Sequence, residues 1–182
     1  MYPFLRVLEQ VIRARRAPKI RPGDTVVTRT RCWPQDLDYQ GELNNGRALT
    51  LMDSGRMSLF LRSGAFDVIR QAGVKVAVAG SAVMYRRRVR LFDRIEIHST
   101  LRGMDDRFVY IEQLLHANGQ PAHHCVFRMV FFDDSGLVPA CRVLADLEDP
   151  GWRAPLPDWM SAWSAAEIMR PWPPQPPKTL VD

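Results

Sequence analysis

The sequence predicts an α+β fold in which one long helix is held inside a curved antiparallel sheet, with a helical extension at each end. Three observations carry this expectation. Residues 45–63 form the one strongly patterned helix in the middle of the chain, with Ala48, Leu51, Met52, Gly55, Leu59 and Phe60 on a broad face. Beyond Gly73 the pattern changes to successive β-rich runs separated by turn signals, the order of an antiparallel meander. Those runs are about 9 to 13 residues long, above the average strand, which favours a strongly curved sheet able to wrap something.

The elements follow in order. Residues 4–16 place Phe4, Leu5, Leu8, Val11 and Ile12 on one face and arginines mostly on the other, the period of an amphipathic helix, and Pro18 and Pro22-Gly23 end it. Such a helix either lies on a membrane surface or docks on its own domain; docking is the expectation, and membrane contact is not. Thr25 to Trp33 is rich in β-branched residues and reads as a strand closed by Pro34. After a polar loop comes the long helix, ending near Ser63-Gly64, and a short helix from Phe66 to Gln71.

Strands are expected over Val74–Tyr85 with a break at Gly80 and a continuation through Arg86–Arg90, then over Arg94–Arg102, Phe108–Ala117 and Pro121–Phe132. Asn118-Gly119 is the clearest hairpin turn. Past Leu147, Asp158 starts a last helix through Met169 that buries Trp159, Met160 and Trp163, and Pro171, Pro173, Pro174, Pro176 and Pro177 make an extended tail. The expected division is an N-terminal helix and linker (1–23), a central domain (24–147) and a C-terminal helix with a proline-rich tail (148–182).

The chain has 182 residues, 46% hydrophobic, enough for one substantial core. No apolar run approaches the roughly 20 residues that cross a bilayer, and charges interrupt the opening segment, so a cytoplasmic location is expected. Cys32, Cys125 and Cys141 have neither disulfide-framework nor zinc-site spacing. The net charge of +5 is concentrated in Arg6, Arg13, Arg15, Arg16, Lys19 and Arg21, opposed locally by Glu9 alone, which points to anionic partners. No helix-turn-helix, zinc-finger or aromatic-basic sheet signature supports nucleic acid, so a phosphate-bearing small molecule is the better fit. No Ser-His-Asp arrangement, P-loop or dinucleotide fingerprint can be traced. His123 and His124, adjacent on a strand, point to opposite faces, and neither a metal nor a cofactor is expected.

The richest stretch is Asp36-Leu37-Asp38-Tyr39-Gln40-Gly41-Glu42-Leu43-Asn44-Asn45-Gly46-Arg47, which sets carboxylates and a turn glycine just before a helix N-terminus. Unpaired backbone N–H groups and the helix dipole there can polarise a carbonyl. The pattern Asp36-x-Asp38-x-x-Gly41-x-Leu43-Asn44-Asn45, followed by Asp53-x-x-Arg56, resembles the signature of hotdog-fold acyl-CoA thioesterases of the 4-hydroxybenzoyl-CoA thioesterase type. Arg86-Arg87-Arg88, Leu91-Phe92-Asp93 and Gly103-x-Asp105-Asp106-Arg107 are similar to the thioesterase-like branch of that superfamily, and the resemblance spans roughly residues 24–145.

The resemblance implies a hotdog fold, a helix wrapped by about five or six strands, forming a homodimer or dimer of dimers through its sheets. It also implies hydrolysis of an acyl-CoA thioester with Asp38 as nucleophile or general base. Residue physics agrees that the N–H groups of Asn45 and Gly46 can donate to a developing oxyanion and that Gly41 permits a tight loop. Glu42, Asn44, Arg47, Arg86 and Arg88 are the further substrate-binding candidates, the two strand arginines for coenzyme A phosphates. A plain structural reading competes: Asp36 or Asp38 caps a turn and Asn44 caps the helix. Asp53 and Arg56 read first as a helix-stabilising pair and second as an acid on the helix itself.

Two positions depart from the related motif, which commonly has His where Glu42 stands and Tyr where Ala48 stands. Glu42 adds a third acid beside Asp36 and Asp38, where like charges crowd. These departures leave a non-catalytic acyl-thioester-binding or assembly protein on the same scaffold as an alternative, and the basic chain, which an acidic carrier-protein surface would attract, leaves an acyl-carrier-protein thioesterase as another.

Overall fold

The computed structural model describes residues 4–149 and 151–174; Pro176 and Pro177 of the expected tail lie outside the described residues. Helix α1 (Phe4–Arg16) leads to strand β1 (Val26–Arg31), a short turn of 3-10 helix (Pro34–Asp36), the long helix α2 (Asn45–Ser63) and α3 (Ala65–Gln71). The meander follows as β2 (Lys75–Tyr85), β3 (Arg94–Met104), β4 (Val109–Ala117), β5 (Gln120–Asp133) and β6 (Gly136–Val138), then α4 (Ala140–Val143) and α5 (Asp158–Ile168). The antiparallel sheet runs in the order β1-β3-β4-β5-β2, with β6 paired to the far end of β5.

Residue chemistry sets the limits of α2. Asn44 caps its start by accepting the Arg47 N–H, and Gly64 ends it at φ 84°, a left-handed conformation that costs glycine little. The helix is buried on most sides, its apolar positions Leu51, Met52, Leu59 and Phe60 joining a core with Ile95, Ile97, Ile111, Leu115 and Phe131 of the sheet. The serines Ser54 and Ser58 are buried as well, and α1 packs along this helix.

Contact between α2 and the sheet is closest at Gly55. A Cβ there would come within 2.6 Å of Ser99 Oγ and 2.7 Å of Gln113 Nε2. Around this contact lies a buried polar network: Arg56 donates to Gln113 Oε1 (2.8 Å), and Gln113 Nε2 donates to the Met52 carbonyl (3.0 Å) and lies 2.7 Å from Ser99 Oγ. The Arg56 guanidinium also sits 3.7 Å above the Phe127 ring and pairs with Asp53. Each buried polar group is thereby satisfied within the helix–sheet seam.

The opposite face of the sheet is covered by α5. Phe108, Tyr110, Val126 and Met160 form a second core there, with Tyr110 Oη bonded to Asp105 (2.5 Å) and Ser164 (2.6 Å). Arg128 lies 4.8 Å from the Phe108 ring centre and 3.3 Å from Glu167.

Several expectations need correction. The β2 strand stops at Tyr85 rather than running through Arg90, because the N–H groups of Arg86 and Arg87 both converge on the Ala122 carbonyl and the chain bends away. The expected break at Gly80 is a register shift between Val78 and Gly80, with the strand continuing past it. Of the tryptophans assigned to α5 packing, Trp159 is exposed, whereas Met160 is buried. The N-terminal helix docks by an unexpected face: Gln10 and Ala14 are buried, and Phe4, Leu5, Leu8 and Ile12 are exposed.

Gly55→Ala is expected to destabilise the protein by about 2 kcal/mol, since the seam has no room for a methyl group. Urea unfolding measures it as a lower midpoint with an unchanged m-value.

Candidate active site

The loop between β1 and α2 folds back on itself as a small hairpin. The Asn44 N–H donates to the Asp36 carbonyl (2.9 Å), the Asp38 N–H to the Glu42 carbonyl (2.8 Å) and the Gly41 N–H to the Asp38 carbonyl (3.1 Å), with Leu37 opposite Leu43. Gly41 turns the tip at φ 75°. The Leu43 N–H donates to the Val89 carbonyl, which anchors this hairpin to the segment following β2.

The two aspartates of the loop have different environments. Asp36 is fully buried; its Oδ2 accepts from Arg6 Nη1 (2.7 Å) and from the Trp33 N–H (2.9 Å), and its Oδ1 is 3.4 Å from Arg47 Nε. It thus ties α1 to the start of α2 through two arginines. Asp38 is half-buried at the hairpin turn, and its Oδ1 accepts the Gln40 N–H (2.8 Å) and the Glu42 N–H (3.3 Å). Both contacts use one oxygen, so Oδ2 has no hydrogen bond among the described residues.

Asn45 and Gly46 occupy the exposed first turn of α2, where N–H groups lack an intrahelical acceptor and the helix dipole is positive. Arg47 turns back toward Asp36 and the Gln35 carbonyl. Glu42 pairs with Arg88 (3.0 Å), and Arg86, Arg87 and Arg90 are exposed nearby in sequence. The three acids of the loop are thus each held by different partners, which relieves the crowding their spacing implied.

The structure adds two groups to this region that sequence reasoning missed. Tyr85 Oη donates to the Asn45 carbonyl (3.2 Å), joining the end of β2 to the start of α2, and its ring meets the buried His123 edge-on at 5.0 Å. Burial pushes the His123 imidazole below its usual value, outweighing a contact with the Ala122 backbone. Forty positions separate Tyr85 from Asn45, and only the pairing of Tyr85 with His123 in the β2–β5 ladder shows where this tyrosine lies.

A cavity of about 580 Å³ opens between α1, α2, α3 and β2. Met57, Phe60, Phe66, Val76 and Val78 give it apolar walls, and Asp53 and Arg56 reach it from α2. Asp53 lies about 12 Å along the helix from Asn45, at 1.5 Å per residue. The hairpin residues Asp38, Gly41 and Glu42 do not line the cavity, so the candidate loop and the apolar chamber occupy different stretches of α2.

The family model of the thioesterase-like superfamily matches residues 32–164. Over 80 residues the chain is 39% identical to protein THEM6 of Xenopus laevis, covering 44% of this chain but only 39% of that relative's length. Among solved structures, the probable thioesterase YbaW of Escherichia coli aligns with a TM-score of 0.60 at 19% identity, over 66% of this chain and 97% of that one. A Thermus thermophilus thioesterase solved with coenzyme A and zinc aligns with a TM-score of 0.56 at 24% identity, over 67% of this chain and 95% of that one. At these identities the structural matches establish the fold, which is the hotdog arrangement of a helix inside a curled antiparallel sheet.

Two outcomes test this local structure. Asp36→Asn is expected to cost about 3 kcal/mol, because it leaves buried arginine charge without its carboxylate, and thermal or urea unfolding reads the loss. The His123 shift gives a pH dependence whose sign is fixed: the unfolded imidazole binds a proton near pH 6.5 and the folded one only at lower pH. Stability is therefore retained above about pH 6.5 and falls as pH drops through it; His123→Leu flattens that part of a stability-versus-pH curve.

Proposed function

The chain belongs to the thioesterase-like superfamily, which supports thioester hydrolysis as its general chemistry, and we propose that it hydrolyses acyl thioesters of coenzyme A using Asp38. The observation that carries this reading is the Asp38 carboxylate at the tip of the hairpin. One oxygen is fixed by two backbone N–H groups and the other has no hydrogen bond among the described residues, in the loop that leads directly into the exposed first turn of α2.

In the proposed reaction Asp38 Oδ2 either attacks the thioester carbon or takes a proton from an attacking water. The carbonyl oxygen gains charge as the carbon becomes tetrahedral, and the Asn45 and Gly46 N–H groups at the positive end of α2 stabilise it. One such donor is worth about 3 kcal/mol in the transition state. Collapse breaks the C–S bond and expels the thiolate of coenzyme A, giving the free acid directly in the general-base route and, in the nucleophilic route, an acyl–Asp38 anhydride that water then cleaves to the acid and the regenerated carboxylate. Gly41 keeps the loop tight beside the substrate and Asn44 holds the helix end in place, while Arg86 and Arg88 offer bidentate contacts to coenzyme A phosphates. Glu42 already holds Arg88, so a phosphate arriving there competes with that carboxylate.

Assembly enters the proposal through β2. This strand pairs with β5 on one side and is a sheet edge on the other, and a long edge invites pairing with a second copy. Edge-to-edge joining of two sheets along β2 gives a homodimer whose substrate site lies between subunits.

A second reading is favoured by the cavity. Asp53 reaches an apolar chamber of about 580 Å³, beside the ion-paired Arg56, as an acid on the helix itself would. An acyl-CoA panel with free-thiol detection separates the two. Asp38→Asn is expected to lower kcat/KM by about 10² to 10⁴ while Asp53→Asn retains turnover. Wild-type rates in Asp38→Asn, with loss in Asp53→Asn, assign the reaction to the helix carboxylate. Saturable acyl-CoA binding with no hydrolysis by the wild-type protein selects the non-catalytic binding role.

A further inference from the structure

The helix that precedes the superfamily match is attached to the fold by a mixed face, on which Val7 and Val11 are half-buried. Arg6 reaches the buried Asp36 (2.7 Å), Gln10 Nε2 donates to the Arg29 carbonyl (3.2 Å) and Ala14 is buried. These contacts fix the rotation of α1 and leave most of its apolar stripe facing outward: Leu5 is 83% exposed, Leu8 55% and Ile12 42%. Spaced at three and four residues, they share one face of the helix. Such a face is costly in water and marks an interaction surface.

The charges beside it identify the partner. Arg13, Arg15 and Arg16 crowd the last turn, and Lys19 and Arg21 follow within five residues. The acids nearby are few: Glu9 pairs with Arg13 (2.5 Å), and Asp67 of α3 lies 3.6 Å from Lys19 and 3.8 Å from Arg70. A groove of about 520 Å³ between α1 and α3 continues the same chemistry, lined by Arg15, Lys19, Arg70 and the exposed Phe66. Exposed aliphatic side chains flanked by arginines match an anionic bilayer surface, where the apolar groups enter the headgroup–acyl boundary and the cations meet phosphates. A second copy of the chain is a poorer occupant than an anionic surface, because each copy carries a net charge of +5.

We propose that α1 is a membrane-docking helix that seats this protein on anionic lipid through Leu5, Leu8, Ile12 and the arginines of its last turn. No described helix is long and apolar enough to cross a membrane, so the attachment lies in the interface plane. The proposal is independent of which carboxylate performs the chemistry.

Co-sedimentation of the full chain with vesicles of phosphatidylcholine, with and without phosphatidylglycerol, tests it. Partitioning is expected to be at least about 10-fold stronger on the phosphatidylglycerol vesicles and to weaken as salt rises. The triple variant Leu5→Gln, Leu8→Gln, Ile12→Gln is expected to stay in the supernatant with an unchanged melting curve, since the replaced side chains are exposed. Arg15→Gln with Arg16→Gln is expected to weaken binding and reduce its salt dependence. The proposal is overturned if the wild-type protein does not sediment with the anionic vesicles, or if the triple variant sediments equally. It is also overturned if the triple substitution halves the assembled mass seen in gel filtration, which assigns the face to a second copy.

Discussion

The closeness of α2 to the sheet at Gly55 is the constraint on which the rest of the structure depends. A hotdog sheet has to curl around one helix, and the radius of that curl depends on how near the helix backbone can approach. Gly55 lets it come within contact of Ser99 and Gln113, and Gln113 then bonds the Met52 carbonyl and Arg56. A polar seam in the middle of a core is costly unless every partner is present. Here the partners come from β3, β4 and α2 together, so the same hydrogen bonds that satisfy the seam also specify the rotation of the helix and the register beneath it.

That rotation has chemical consequences at both ends of the accessible helix surface. At the start, it sets the first turn of α2 beyond the hairpin that carries Asp38, with Tyr85 holding the Asn45 carbonyl. Eight residues later it directs Asp53 and Arg56 toward the cavity beside β2. Asp36 contributes in a different way: with Arg6 and Arg47 it welds α1, the loop and the helix start into one unit. The Asp-x-Asp pair is therefore divided between a buried structural acid and a half-exposed one. The division follows the backbone: Asp36 closes the 3-10 turn and faces Arg6 and Arg47, whereas Asp38 lies in the hairpin that follows and accepts from its own turn N–H groups.

Much of this was legible in the residues. Asn44 and Gly64 delimit α2 through well-understood capping chemistry, and the Asn118-Gly119 turn sets the β4–β5 hairpin. The loop motif located the candidate carboxylate and the helix end beside it. What misled was the assumption that an amphipathic helix docks by its apolar face. Periodicity reports that a face exists, whereas the choice of docking face for α1 turned on an ion pair to Asp36, thirty positions away, and on close packing at Ala14. The arginine run past Tyr85 misled for a related reason: its strand-like composition could not reveal that one carbonyl, that of Ala122, captures two successive N–H groups.

By itself, then, the sequence determined the order and limits of most elements, the wrap of a sheet around one helix and the loop that carries the candidate acid, because capping, turn chemistry and periodicity act over a few residues. Tertiary structure alone decided which aspartate is buried, which tyrosine braces the helix start, where the apolar chamber opens and which way α1 faces. Those outcomes rest on partners brought together from distant positions, and their energies depend on burial and hydrogen-bond completion that no local pattern contains.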